Sequence, residues 1–149
     1  MAAAVVLSGC MRHAGRNVQQ VMLIKAEKKD GGTHSRTIVF YRDGKAERNS
    51  FITDSSAAKP VSTEERGTFS TDSFERVAKT VEENNFFSKK EKKSDLDADG
   101  EFINLAVSSK DGSNEISNDI EVDPNDSQIQ NIISAIEKEA SQINWQPAK

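Results

Sequence analysis

A single cysteine, Cys10, stands in a chain of 149 residues. One thiol excludes any disulfide within the chain, and no Cys/His group has the spacing of a zinc site. The two histidines, His13 and His34, both fall in the first 34 residues. They leave no nucleophile–base pair that reads as a catalytic constellation. No Gly-rich phosphate loop is present, and no apolar run approaches the roughly 18–20 residues of a membrane-spanning helix. Cationic charge is also short: the net charge is −4, without the concentrated basic face of a nucleic-acid binder. The hydrophobic set makes up only 35% of the residues while 30% are charged, so the core should be small and the loops long.

What is present begins at the N-terminus. Ala2 to Leu7 are small or apolar, and the run Leu7-Ser8-Gly9-Cys10 follows. This run resembles the lipobox of bacterial lipoproteins, with Leu three residues before the cysteine and two small residues between. The resemblance implies that Cys10 is diacylglycerol-modified and becomes the first residue of the mature protein. It also implies an extracytoplasmic domain held at the bacterial cell envelope, because two or more acyl chains make attachment stable where one is marginal. Met11 follows the cysteine, so the Asp that retains such proteins at an inner membrane is absent, which points to the outer membrane where there is one. The pattern departs from the family in two ways. No Lys or Arg precedes the apolar stretch, and Ala2 to Leu7 is shorter than the ~7–15 residues of a signal-peptide core. A start codon further upstream accounts for both. Residues 1–9 are thus read as a signal-peptide remnant, 10–17 as lipidated cysteine and tether, and 18–149 as one domain.

Strand patterns dominate the first half of that domain. Residues 18–27, with Val21-Met22-Leu23-Ile24, read as a central strand, and Lys28-Lys29-Asp30-Gly31-Gly32 as a turn. Residues 36–41 are the richest β-branched and aromatic run. Asp43-Gly44 joins them to residues 45–52 as a hairpin. Residues 53–66 read as a long connection, and 67–70 as one short further strand.

A helix follows, with Asp72 and Glu75 as a capping box and Phe74, Val77, Ala78 and Val81 on one face. Asn84-Asn85 stops it, and Phe86 and Phe87 turn into the core. Residues 88–100 are charged throughout and read as a solvated loop, with contact of the basic half, residues 89–93, to an anionic membrane surface as the alternative. Residues 101–109 and 115–122 alternate, with Ile103, Leu105 and Val107 facing Ile116, Ile120 and Val122 across a second hairpin. Asp123-Pro124 starts the last helix, whose stripe is Ile129, Ile132, Ile133, Ile136, Ala140 and Ile143. Trp145 folds back onto the domain edge. The expected fold is α+β: an antiparallel sheet of about five strands built from hairpins, with two amphipathic helices packed on one face. A helix ending in Phe-Phe ahead of a β-hairpin is similar to parts of small uncharacterised envelope domains of bacteria, a likeness that brings no activity.

The one metal-like pattern is Asp95-x-Asp97-x-Asp99-Gly100. It resembles the opening of an EF-hand-type calcium loop, with alternate carboxylates for a hard cation and Gly at the sixth position. Ala106 falls at position twelve, where that loop needs a bidentate Glu, so Glu101 or a distant carboxylate would have to assist. The leading expectation is a lipid-anchored envelope protein with a non-catalytic binding or structural domain, without a cofactor, and partnered by the membrane and by another envelope protein. A calcium-binding domain using Asp95, Asp97, Asp99 and Glu101 is the alternative. A small hydrolase or an enzyme inhibitor is the remaining class, and no residue speaks for it.

Overall fold

A computed structural model describes residues 21–30, 33–53, 59–92, 101–111 and 114–149. Among the described residues, seven strands form one antiparallel sheet around β1 (Val21–Asp30). β1 lies between β2 (His34–Tyr41) and β5 (Glu101–Asp111). β3 (Lys45–Ile52) pairs with β2 and β4 (Val61–Thr68) with β3, and β7 (Gln146–Pro147) adds a short rim. On the other side β6 (Asn114–Val122) pairs with β5, giving the order β6-β5-β1-β2-β3-β4-β7. The α+β class and the central place of β1 agree with the sequence pattern. β1 runs on to Asp30, so Lys28, Lys29 and Asp30 are strand rather than turn.

The Asp43-Gly44 hairpin forms, by a route the dipeptide alone does not specify. Gly44 N donates to Tyr41 O at 3.0 Å, and Gly44 carries φ +89°. Asp43 has no positive φ, so the turn is three residues long, with glycine alone in the left-handed region. Asp43 Oδ1 accepts from Lys45 N at 3.1 Å and closes the bend.

The count of about five strands is corrected to seven by β4 and β7. Residues 61–66, expected as connection, belong to a strand whose residues are mostly exposed. Its Ser-Thr-Glu-Glu-Arg run has neither alternation nor apolar bulk, so its strand state comes from pairing with β3. Gly67 is where this strand meets the C-terminal tail. A Cβ there would overlap Ile143 Cγ2 and lie 3.5 Å from Trp145 Cε3.

Both helices form, with their starts displaced. α1 (Thr71–Glu83) is capped by Ser70, whose Oγ accepts from Ser73 N at 3.1 Å, rather than by Asp72. α2 (Ser127–Ala140) is capped by Asp126, which accepts from Gln128 N and Ile129 N, rather than by Asp123. Asp123 instead holds a turn, accepting from Asn125 N at 2.9 Å. In both segments several Ser, Thr and Asp residues compete for one role, and side-chain reach to the first orphan N–H groups decides it. Asn85 ends α1 with φ 54°, as an Asn stop requires. A 3₁₀ turn, Phe86–Ser88, then seats Phe86 at 0% exposure with Phe87 edge-on to it.

The core follows from register. Ile24 lies opposite Phe40 and Val107, and Ala26 opposite Ile38 and Leu105. Phe40 meets Ala46, and Ile103 and Leu105 meet Val122 and Ile120. Because side chains alternate along a strand, these residues share one face of the sheet. They belong to one cluster with Phe74, Val77, Ala78 and Val81 of α1 and Ile129, Ile132, Ile136 and Ala140 of α2. Each fully buried Phe or Ile contributes about 2–3 kcal/mol relative to exposure.

Gly67→Ala should lower stability by about 1–3 kcal/mol through overpacking, measured as a shift in urea unfolding. Ile143→Ala should itself cost about 2–4 kcal/mol. In that background the added cost of Gly67→Ala should fall below ~0.5 kcal/mol, since the two sites are directly coupled. Additive losses would show that Ile143 is not what excludes a side chain at position 67.

Candidate functional site

Cys10, Asp95, Asp97 and Asp99 lie outside the described residues. Of the candidate ligands only Glu101 is placed, by its backbone: it opens β5 opposite Asp30. From there the chain is extended through Ala106, which is buried and flanked by Lys25 and Asp119. An EF-hand-type loop must curl back over its last positions to bring the twelfth residue to the ion. Here Glu101 to Ala106 are consecutive rungs of β5. Among the described residues no group of three or more His, Cys, Asp or Glu is arranged to hold a metal.

The strongest polar constellations join elements to one another. Glu139, on the buried side of α2, accepts from Arg76 Nε at 3.0 Å and Arg76 Nη2 at 3.1 Å. Arg76 Nη2 also donates to Ser73 Oγ at 2.8 Å. The Arg76 guanidinium holds the Glu139 carboxyl below its usual value, and Ser73 lowers it further, against the opposing effect of burial. This bidentate fork ties α1 to α2.

Lys89 ties the 3₁₀ turn to the start of α2. Its Nζ donates to Asp126 Oδ2 and Gln128 Oε1, each at 2.5 Å. The ammonium, with the backbone N–H groups of Gln128 and Ile129, holds Asp126 below its ordinary value. The expectation that the whole lysine run is solvated is therefore corrected at Lys89. At the other end of that run, Lys92 N donates to Glu121 O at 2.8 Å on the outer side of β6.

A third linkage closes the C-terminus. Arg48 donates to Glu65 Oε2 at 2.7 Å, and its guanidinium lies 4.6 Å from the Trp145 ring. Trp145 Nε1 donates to Ala140 O at 3.0 Å, so Trp145 folds onto the domain edge as expected.

Among the described residues, one end of the sheet presents large apolar side chains outward. The large hydrophobic residues Phe51, Ile52 and Val61 are 39%, 43% and 54% exposed. They occupy adjoining rungs, with Ile52 opposite His34 and Val61, and Phe51 opposite Ser35 and Ser62. A hollow of about 320 Å³ beside them is lined by Lys28, His34, Ser35, Arg36, Ser50, Phe51 and Ile52. Arg36 reaches across to Glu137 of α2 at 2.7 Å. Below that ion pair lies a cavity of only about 20 Å³, lined by Ala26, Ile38, Ile103, Ile133 and Ile136, too small for more than a solvent molecule. The sequence pattern does not single out this end of the sheet. Its one signal is Phe51-Ile52 standing at the close of a strand, ahead of a polar connection.

No family model, no curated protein and no solved structure matches this chain.

Glu139→Gln should cost about 1 kcal/mol at pH 7. A charged hydrogen bond is worth more, but Arg76 is 58% exposed and its pairing is screened. The folded-state value of Glu139 is depressed, so its contribution is present at neutral pH and is lost as pH falls through that value. The melting temperatures of wild type and Glu139→Gln should therefore converge on acidification below the ordinary glutamate value of 4.5. A gap that stays constant down to pH ~3 would assign the loss to packing instead.

Proposed function

We propose that the protein is a lipid-anchored component of the bacterial cell envelope whose α+β domain acts as a non-catalytic binding or structural module. The observation that carries this is Leu7-Ser8-Gly9-Cys10, where a thiol nucleophile follows two small residues that fit a peptidase cleft. The position of β1 supports it. β1 is described from Val21, and the ten residues of sequence between it and Cys10 bound the separation of the two at about 35–40 Å. The domain would work within a few nanometres of the bilayer. A bilayer-bound role also suits a protein whose polar constellations, Arg76–Glu139, Lys89–Asp126 and Arg48–Glu65, are used to join its own elements.

In this reading both helices lie on the one face of the sheet that carries Ile24, Phe40 and Leu105. The shared cluster of strand and helix residues supports that arrangement. The opposite face then carries Lys25, Glu47, Thr37 and Asn49 by register and stays available to a partner in the envelope.

Protein isolated from its native cells should carry acyl chains on Cys10 and begin at that residue, read by mass spectrometry. Cys10→Ser should lose the fatty-acid label and move the protein from the membrane to the soluble fraction. Equal membrane association of the Cys10→Ser protein would defeat the proposal.

A further inference from the structure

The two edges of the sheet end differently. Beyond β4 the chain lays its own C-terminal tail, with Gln146 and Pro147 opposite Arg66 and Glu65, and Ala148 N donating to Glu64 O at 2.8 Å. Beyond β6, among the described residues, no further strand follows. One bond reaches that edge, from Lys92 N to Glu121 O at 2.8 Å. In an antiparallel pair the N–H and C=O of one residue point to the same side, and successive residues alternate. Glu121 O points away from β5, so Glu115, Ser117 and Asp119 also present their backbone groups outward, while Ile116, Asn118 and Ile120 bond to β5. Such open rungs are a template for an added strand.

Charge decides what this edge accepts. The nine residues of β6 include Glu115, Asp119 and Glu121 and no Lys, Arg or His. β5 adds Glu101 and Asp111 against Lys110. Lys25 of β1, level with Asp119 across Ala106, and Lys92 at the Glu121 end still leave the acids in surplus. Asp119 is exposed, and its carboxylate is met by an amide, Asn104 Nδ2 at 2.6 Å, and by no cation among the described residues. A second copy of the chain does not suit such an edge. Every two-fold antiparallel register that engages more than two of the outward residues sets acid against acid: Glu115 on Asp119, Glu115 on Glu121, or Asp119 on its own counterpart. The residue already seated there, Lys92, belongs to the lysine run of the chain itself. On the core face of the edge, Ile120 is only partly buried, so an incoming strand gains by setting an apolar side chain beside it. Because side chains alternate along a strand, the fitting occupant carries a cation at every second residue and apolar residues between.

We infer that the outer edge of β6 binds an extended segment of a partner protein, with Lys or Arg at alternate positions, as an added antiparallel strand. This names the partner class of the binding module proposed above and rests on that reading for its setting. The recognition itself does not involve Cys10.

The test titrates the full chain carrying Cys10→Ser with fluorescein-labelled peptides of about ten residues, the length of β6, followed by anisotropy. One peptide alternates Lys and Val, and a second alternates Glu and Val. The Lys/Val peptide should bind at least ~10-fold tighter at ~0.05 M salt, with the difference narrowing toward ~0.5 M. In an antiparallel pair the Lys N–H groups face β6. N-methylation of the Lys residues should therefore weaken binding at least ~10-fold, and N-methylation of the Val residues should leave it. Asp119→Lys should weaken the Lys/Val peptide at least ~5-fold, with the melting temperature held because the residue is exposed. Hydrogen exchange supplies a readout that needs no variant. The amides of Ser117 and Asp119 should exchange at least ~10-fold more slowly at saturating Lys/Val peptide, while that of Ile120, already bonded to β5, should not change. Equal affinity for the two peptides, unchanged exchange at Ser117 and Asp119, or methylated valines that weaken binding as much as methylated lysines would overturn the inference. So would protection of those amides that grows with protein concentration in the absence of peptide, which would assign the edge to a second copy. Failure of the peptide to bind a protein that carries its acyl label in cells strikes this inference and leaves the anchor. Peptide binding by a chain that lacks the label strikes the anchor and leaves the edge standing.

Discussion

The register of β1 between β2 and β5 is the constraint on which the rest of the molecule depends. It sets Ile24 between Phe40 and Val107, and Ala26 between Ile38 and Leu105. A slip of one residue would turn Lys25 and Glu27 inward and every one of those apolar side chains outward. The helices add no register of their own. They supply Phe74, Val77, Val81, Ile129, Ile132 and Ile136 to whatever face the sheet presents. The ionic forks then act on an arrangement already chosen by burial. Arg76–Glu139 binds α1 to α2, Lys89–Asp126 fixes the entry to α2, and Arg48–Glu65 with Trp145 seals the C-terminal tail.

The parts of this fold that sequence shows are those where local chemistry and tertiary packing agree. Arg-Thr-Ile-Val-Phe-Tyr before Asp-Gly is a strand and a turn by propensity, and it is β2 and its turn in the structure. The isoleucine stripe of α2 is buried from Ile129 to Ile136. Asn85 takes the left-handed conformation and Phe86 is seated in the core. Where the two levels part, reading fails for a physical reason. Residues 61–66 have no intrinsic strand preference and become β4 only because β3 offers them an edge. Gln146 and Pro147 become β7 only because Ile143 and Trp145 have first brought the tail over Gly67. The caps move from Asp72 to Ser70 and from Asp123 to Asp126 because each helix start holds several competent oxygens.

The candidate site was less legible than the fold. Cys10 and the Asp95-Asp97-Asp99 run carry chemistry in their residue types and can be named from sequence alone. Phe51, Ile52 and Val61 carry none by type: the first two read as the close of a strand and Val61 as part of a connection. Their exposure follows from a mismatch of lengths. β3 and β4 are eight residues each. The buried C-terminal contacts reach Ala46 and Gly67, and the Arg48–Glu65 fork under Trp145 covers the next rung. Further along, Ser50 and Thr63 give way to Ile52 and Val61, which have no buried strand partner among the described residues. Where along a strand burial stops is set by its tertiary neighbours, and no window of sequence contains it.

The same mismatch separates stability from recognition. In the middle of the sheet every apolar side chain is spoken for, and changes there are felt by both helices at once. At the β2–β3–β4 end the strands continue by hydrogen bonding alone, with Thr53 N and Oγ1 both donating to Thr33 O to hold the last rung. Backbone pairing keeps these rungs rigid without requiring their side chains to pack. Side chains there are free to vary in type at little cost to folding, which is the condition under which a surface can be shaped for contact.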